Sequence, residues 1–237
     1  MQLEIGWKTE TGPKHPENED FGTFRPELGL FAVADGMSGY KGGQVASQAA
    51  IQVIAEFVKT GLSEADPNLS VNLSELAANS LRAANYVIYE HSLKNSDFFG
   101  MGTTVTCLIV RENEAAIGHA GDSRCYRVRR GQIAQLTRDH TQARQSDRRQ
   151  TVLARAIGVE AQVEVDRHRV ELELDDVYLL CTDGLSSVLE EAEILRVIEK
   201  HRVVPNGMQA AAAELTRLSR LRRSDDDITI LLVKMTP

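Results

Sequence analysis

The sequence predicts an α+β fold in which antiparallel strands and paired helices occupy separate stretches of chain. Two observations carry this. Two one-sided helices follow one another: Ala46, Ala49, Ala50, Val53, Ile54, Phe57 and Val58 share one face, and Leu73, Leu76, Ala77, Leu81, Ala84 and Ile88 share another. Four short runs rich in β-branched residues then follow, at 103–110, 115–120, 125–128 and 133–136, with turns at Glu112-Asn113, Gly121-Asp122 and Arg130-Gly131, the pattern of an antiparallel meander. No repeat or low-complexity linker divides residues 1–237, and 42% apolar residues are enough for a large core, so one domain is expected.

In chain order, residues 3–7 alternate and suit an edge strand. A turn-rich segment at 9–17 leads to Asn18-Glu19-Asp20, and 21–24 alternates again. Residues 30–34, LFAVA, form a short apolar run of the kind found in a covered sheet. It stops at Asp35, and glycines follow at 36, 39, 42 and 43, where the backbone can turn sharply. The first helix suits an end at Gly61, and Ser70 or Asn72 suits the cap of the second. Residues 137–155 are polar and basic. Arg144, Arg148, Arg149 and Arg155 there read as a solvated face or as a rim that attracts phosphate. Strands resume at 163–170 and 177–181, the second ending in Thr182-Asp183-Gly184-Leu185. Helices around Ile194, Val197 and Ile198 and around Met208, Ala211, Ala212, Leu215 and Leu218 precede three aspartates at 225–227 and a last strand at 228–233.

A net charge of −7 argues against non-specific nucleic-acid binding. Cys107, Cys125 and Cys181 lie in strand-like runs without metal spacing and read as buried thiols in a reducing compartment. No apolar run is long enough for a membrane span and no secretory pattern follows Met1, so a cytoplasmic protein is expected, and a monomer.

The chemistry resides in acids at strand ends. Asp35 alone reads equally well as a solvated turn residue. The arrangement recurs, however: Asp20, Asp122, Asp183 and Asp226 also lie at ends of apolar runs. Several carboxylates near one point suppress one another's ionisation unless a cation intervenes. An oxygen-only set suits Mg²⁺ or Mn²⁺ rather than Zn²⁺. The sequence holds no P-loop, nucleophile elbow or zincin helix.

From about residue 4 to 233 the chain resembles the PPM family, the metal-dependent type-2C serine/threonine protein phosphatases, in compact bacterial form. The resemblance rests on NED at 18–20, VADGM at 33–37, GG at 42–43, MGTT at 101–104, GDSR at 121–124, DHT at 139–141, CTDGL at 181–185 and DDIT at 226–229. It implies a four-layer α-β-β-α sandwich, two antiparallel sheets flanked by helix pairs. It also implies metal and catalytic roles. Asp35 would bridge two ions, the Gly36 carbonyl would complete one, and Asp183 and Asp226 would bind the other. Asp20, with Glu19, would hold bound waters. Asp122 would join Asp183 at a third, looser ion. Asn18 and Thr104 match structural polar positions. The implied reaction is attack on a phosphoserine or phosphothreonine phosphorus by a water that two Mn²⁺ or Mg²⁺ ions activate, opposing a bacterial protein kinase.

Three departures stand out. Where the family carries an arginine that grips phosphate, this chain has His15, with Lys14 beside it, so these two are the candidate substrate-binding residues. GGHAGG is replaced by SGYKGG, with Ser38, Tyr40 and Lys41; Lys41 reads as solvated or as a partial replacement of the lost charge. The stretch 142–158 is short for a flap, so a shortened or absent flap is expected. These departures leave open a catalytically weak phosphatase-like module that binds phosphoproteins, and a hydrolase of small phosphate esters.

Overall fold

The computed structural model describes residues 2–37, 42–64, 71–143 and 151–237. Ser38, Tyr40, Lys41, Ser70, Arg144, Arg148 and Arg149 lie outside the described residues. Two five-stranded antiparallel sheets form the centre. One contains β1 (Gln2–Glu10), β12 (Ile228–Thr236), β11 (Val177–Cys181), β6 (Arg124–Arg129) and β7 (Gln132–Gln135), in that spatial order. The other contains β10 (Asp166–Glu171), β5 (Glu114–Ala120), β4 (Val105–Arg111), β3 (Leu30–Asp35) and β2 (Asp20–Arg25). A small ladder pairs β8 (Thr141–Ala143) with β9 (Thr151–Leu153) where the shortened flap is expected.

Phe31, Val33, Leu108 and Ile117 of the second sheet meet Tyr178, Leu180, Leu231 and Val233 of the first between the sheets. The opposite faces are covered as well. Helices α1 (Gly43–Ser63) and α2 (Leu73–Lys94) bury Ala50, Ile54, Leu81 and Ile88 against Leu30, Ala32 and Ile109. Helices α3 (Glu191–His201) and α4 (Gly207–Leu221) bury Ile194, Ile198, Met208 and Leu215 against Leu179, Ile230 and Leu232. Strands covered on both faces have no polar side, which is why LFAVA and VYLLC read as unbroken apolar runs. The result is the four-layer α-β-β-α sandwich. Among the described residues no helix is long and apolar enough to cross a membrane. The three cysteines are buried free thiols, and burial pushes Cys107 and Cys181 up to about 12.

The structure corrects several expectations. The expected meander is split: β4–β5 belong to one sheet and β6–β7 to the other, because the chain crosses between sheets at residues 121–123. Gly61 does not end α1. It lies where α2 crosses, and an added Cβ would come within 2.6 Å of Leu76 Cδ1, so glycine serves close packing there. The strand expected at 163–170 begins at Asp166, because Val163 and Val165 pack into the core beneath α1 and α2 instead. Asn72 is the cap of α2, its side chain accepting from Glu75 N at 3.2 Å.

Candidate metal centre

Antiparallel register brings the acidic strand ends together. Asp20 opens β2 directly opposite Asp35, which closes β3. In the other sheet Cys181 at the end of β11 pairs with Arg124 at the start of β6 and with Ile230 near the start of β12. Asp183, Asp122 and Asp226 therefore emerge from one end of that sheet. A hydrogen bond joins the two sheets at this point: Thr182 Oγ1 donates to Asp20 Oδ2 at 2.8 Å.

The electrostatics record the crowding. Burial, then the charges of Asp20, Asp183, Asp226 and Asp122, hold Asp35 well above the ordinary carboxylate range. Burial first, with Asp227 and Asp183 adding to it, does the same to Asp20 against the hydrogen bonds of Thr182 and Thr229. Burial, Asp226 and Asp122 raise Asp183. Burial and Asp139 push Asp122 up to about 6. Asp20 Oδ1 and Asp183 Oδ1 are buried with no hydrogen-bond partner. An oxygen-only cluster with two orphaned acceptors and mutually raised carboxyls fits divalent Mg²⁺ or Mn²⁺.

The backbone around these acids is tightly held. Asp35 N donates to Thr104 Oγ1 at 3.1 Å, and Asp35 O accepts from Thr104 N and Thr103 Oγ1, each at 2.8 Å. Thr104 Oγ1 lies 2.7 Å from Ser123 Oγ, linking the Asp35 strand to the Asp122 turn. Gly36 N donates to Glu19 O at 3.1 Å, and a Cβ on Gly36 would meet Gly43 O at 2.3 Å, so no side chain fits there. Asn18 Oδ1 accepts from Asp20 N at 3.0 Å while its amide donates to Thr9 Oγ1 at 2.9 Å, a structural role.

A model of the family described as Protein phosphatase 2C matches residues 18–219. The chain belongs to the protein phosphatase 2C family. It is 30% identical over 246 residues to the serine/threonine phosphatase stp of Listeria innocua, with 96% of this chain and 94% of the relative covered. It is 30% identical to the serine/threonine protein phosphatase PstP of Mycobacterium tuberculosis, covering 98% of this chain and 45% of that one. The catalytic domain of PstP in complex with two manganese ions superposes with a TM-score of 0.83 at 28% identity, over 99% of each chain. Stp1 from Staphylococcus aureus superposes with a TM-score of 0.83 at 26% identity, over 100% of this chain and 96% of that one.

Within this phosphatase 2C fold, the two candidate phosphate-binding residues are already engaged. Lys14 Nζ pairs with Asp225. His15 Nδ1 lies 3.2 Å from Asp227 Oδ2 and 3.7 Å from Asp226 Oδ1. Burial opposes charge on His15, but Asp227, Asp226 and Glu19 outweigh it and raise its pKa. Arg155 is ion-paired with Glu164 at 2.6 Å and Asp166 at 2.9 Å, so it is not a free cation of a phosphate-attracting rim.

Sequence reasoning passed over Asp227 and Arg220. Asp227 is buried, and its carboxylate accepts from Gly12 N and Glu19 N, both at 2.7 Å, which ties the segment before β2 to the start of β12. His15, Asp226 and Asp227 thus form a close cluster in which both oxygens of Asp227 are already hydrogen-bonded. Arg220 donates to Ser224 O at 2.9 Å, Asp226 O at 2.8 Å and Thr11 O at 3.0 Å, fixing the Asp226 loop. The acidic run at 225–227 signalled Asp227. No local pattern signals Arg220, whose partner Thr11 lies at the other end of the chain.

Proposed function

We infer that the chain is a metal-dependent serine/threonine protein phosphatase that hydrolyses phosphoserine and phosphothreonine in phosphorylated proteins. The convergence of Asp20, Asp35, Asp122, Asp183 and Asp226 at one end of the sandwich carries this reading, in a chain that belongs to the phosphatase 2C family. Asp35, the Gly36 carbonyl, Asp183 and Asp226 would hold two Mn²⁺ or Mg²⁺ ions, and Asp122 with Asp183 would serve a third. When bound, such ions screen the phosphate charge and lower the pKa of a water. Asp20, fixed by Thr182, presents its second oxygen to the site and orients water there. Burial keeps the thiols protonated and out of reach, so no cysteine is the nucleophile, and a metal-activated water is the attacking group in this reading. His15 and Lys14, now paired with Asp227 and Asp225, would meet the phosphate only on leaving those carboxylates. One phosphatase domain spans residues 1–237, and the protein acts as a cytoplasmic monomer opposing a serine/threonine kinase.

The test is hydrolysis of p-nitrophenyl phosphate and of a phosphothreonine peptide, with Mn²⁺ and with EDTA. Turnover of both in Mn²⁺ and neither in EDTA is expected. Full activity in EDTA overturns the metal reading. Turnover of the nitrophenyl ester without the peptide identifies a small-ester hydrolase, and activity on neither leaves a phosphoprotein-binding module.

A further inference from the structure

The Asp139-His140-Thr141 segment supplies no ligand to the site described above, yet it grips the Asp122 turn from two sides. The Asp139 carboxylate accepts from Arg124 Nε and Nη2 at 2.9 and 2.7 Å, and from Gln135 at 3.0 Å. His140 is buried. Its backbone N donates to Gly121 O at 2.8 Å, and its Nδ1 accepts from Gly121 N at 3.2 Å. Both backbone polar groups of the residue preceding Asp122 therefore end on one histidine.

Acceptance at Nδ1 leaves the ring proton on Nε2. That nitrogen lies 3.2 Å from Asp166 Oδ2 and 3.2 Å from Arg155 Nη1, which itself donates to Asp166 Oδ1 at 2.9 Å. The His140 carbonyl accepts from Ala154 N at 2.7 Å, just beyond β9. The His119 ring packs against His140 with centroids 4.7 Å apart, and His119 Nε2 donates to Arg138 O at 3.0 Å, holding the preceding backbone. A buried imidazole used for packing alone could be replaced by an apolar ring. One whose two nitrogens serve opposite partners is committed by direction, since each unmade bond leaves a buried polar group unsatisfied.

We propose that His140 is a positioning residue whose Nδ1 lone pair holds the Gly121 N–H, sets the direction of the Asp122 carboxylate toward a divalent cation, and whose Nε2–H ties that turn to Asp166, which Arg155 holds in turn. The proposal rests on the reading of Asp122 as a cation ligand. It reaches past Asp122 to the residue that aims it. Removing an outer partner of a ligand typically lowers metal affinity about 10–100-fold.

The experiment measures Mn²⁺ binding to metal-stripped full-length protein by electron paramagnetic resonance of free Mn²⁺, with thermal melts in EDTA and hydrogen exchange of the Gly121 amide by NMR. His140→Asn keeps an acceptor where Nδ1 stands. His140→Leu removes it, and His140→Gln, whose amide reaches toward Asp166 instead, reads the same contrast should the Leu variant not fold. The expected result is that the weakest class of Mn²⁺ sites loses about tenfold in affinity in His140→Leu and His140→Gln but stays within about threefold of the parent in His140→Asn. Gly121 protection should follow the same order. A purely structural role lowers melting temperature in all three variants and leaves the isotherm alone, and that outcome overturns the proposal. So does equal weakening in Asn and Gln. Asp122→Asn is run alongside: if it keeps the parent isotherm, the ligand reading itself fails. If it weakens while the His140 variants do not, the positioning role alone fails.

Discussion

Asp122→Asn should stabilise the metal-stripped protein while weakening its response to metal. The carboxyl moves from 3.8 to about 6 on folding, through burial first and Asp139 second. Holding its charge at pH 8 therefore costs up to about 3 kcal/mol relative to a neutral group of the same shape. Between pH 4 and 6 the folded state keeps a proton that the unfolded chain has released. Stability from this group is thus present below pH 4 and lost as pH rises through 6. Asn does not titrate and escapes that loss. Part of Asp122 reaches solvent, which trims the gain to about 1–2 kcal/mol. For a chain of this length that is about 2–8 °C in melting temperature. The assay is a melt of parent and variant in EDTA at pH 5 and pH 8. The gap at pH 5 should be about half that at pH 8. Saturating Mn²⁺ should then raise the parent more than the variant, since ligand that binds only the folded state adds stability by mass action. A variant no more stable than the parent at pH 8 in EDTA, or a gap that does not widen with pH, refutes the reasoning.

Asp35→Ala and Asp183→Ala should each lower Mn²⁺-dependent turnover by more than about 100-fold with an unchanged circular dichroism spectrum, and either variant retaining near-parent activity removes that residue from the site. Asp227→Ala deletes the acceptor of Gly12 N and Glu19 N and should cost about 2–4 kcal/mol in denaturant unfolding; a loss under about 0.5 kcal/mol would show that water replaces it. His119 is held down at about 4, by burial first and then by His140. Unfolding below its ordinary range therefore takes up a proton, and stability falls as pH drops from 6.5 to 4. His119→Asn lacks this term, so its stability deficit against the parent should shrink by about 2 kcal/mol between pH 7 and pH 5, and a deficit that stays constant would show that His119 does not titrate as described.

Periodicity and strand-end chemistry were enough to locate most elements and the five aspartates, because a side chain's burial leaves a mark on its local pattern. The runs before Asp35 and Asp183 are apolar throughout since each strand is covered on both faces. The same uniformity hid which sheet each strand joins. Nothing in residues 103–136 distinguishes a meander from two hairpins in separate sheets, and the crossing at 121–123 is decided by packing alone. Gly61 looked like a helix end because its need is set by Leu76 on another helix. The support of the site is tertiary in the same sense. Thr182 reaches Asp20, Asp227 reaches Gly12 and Glu19, and Arg220 reaches Thr11 across more than 150 residues of chain. Sequence determined that the acids exist and end their strands. Only the register between strands and the closure of one sheet on the other decided that they meet, because a hydrogen bond between distant residues leaves no periodic trace in either segment.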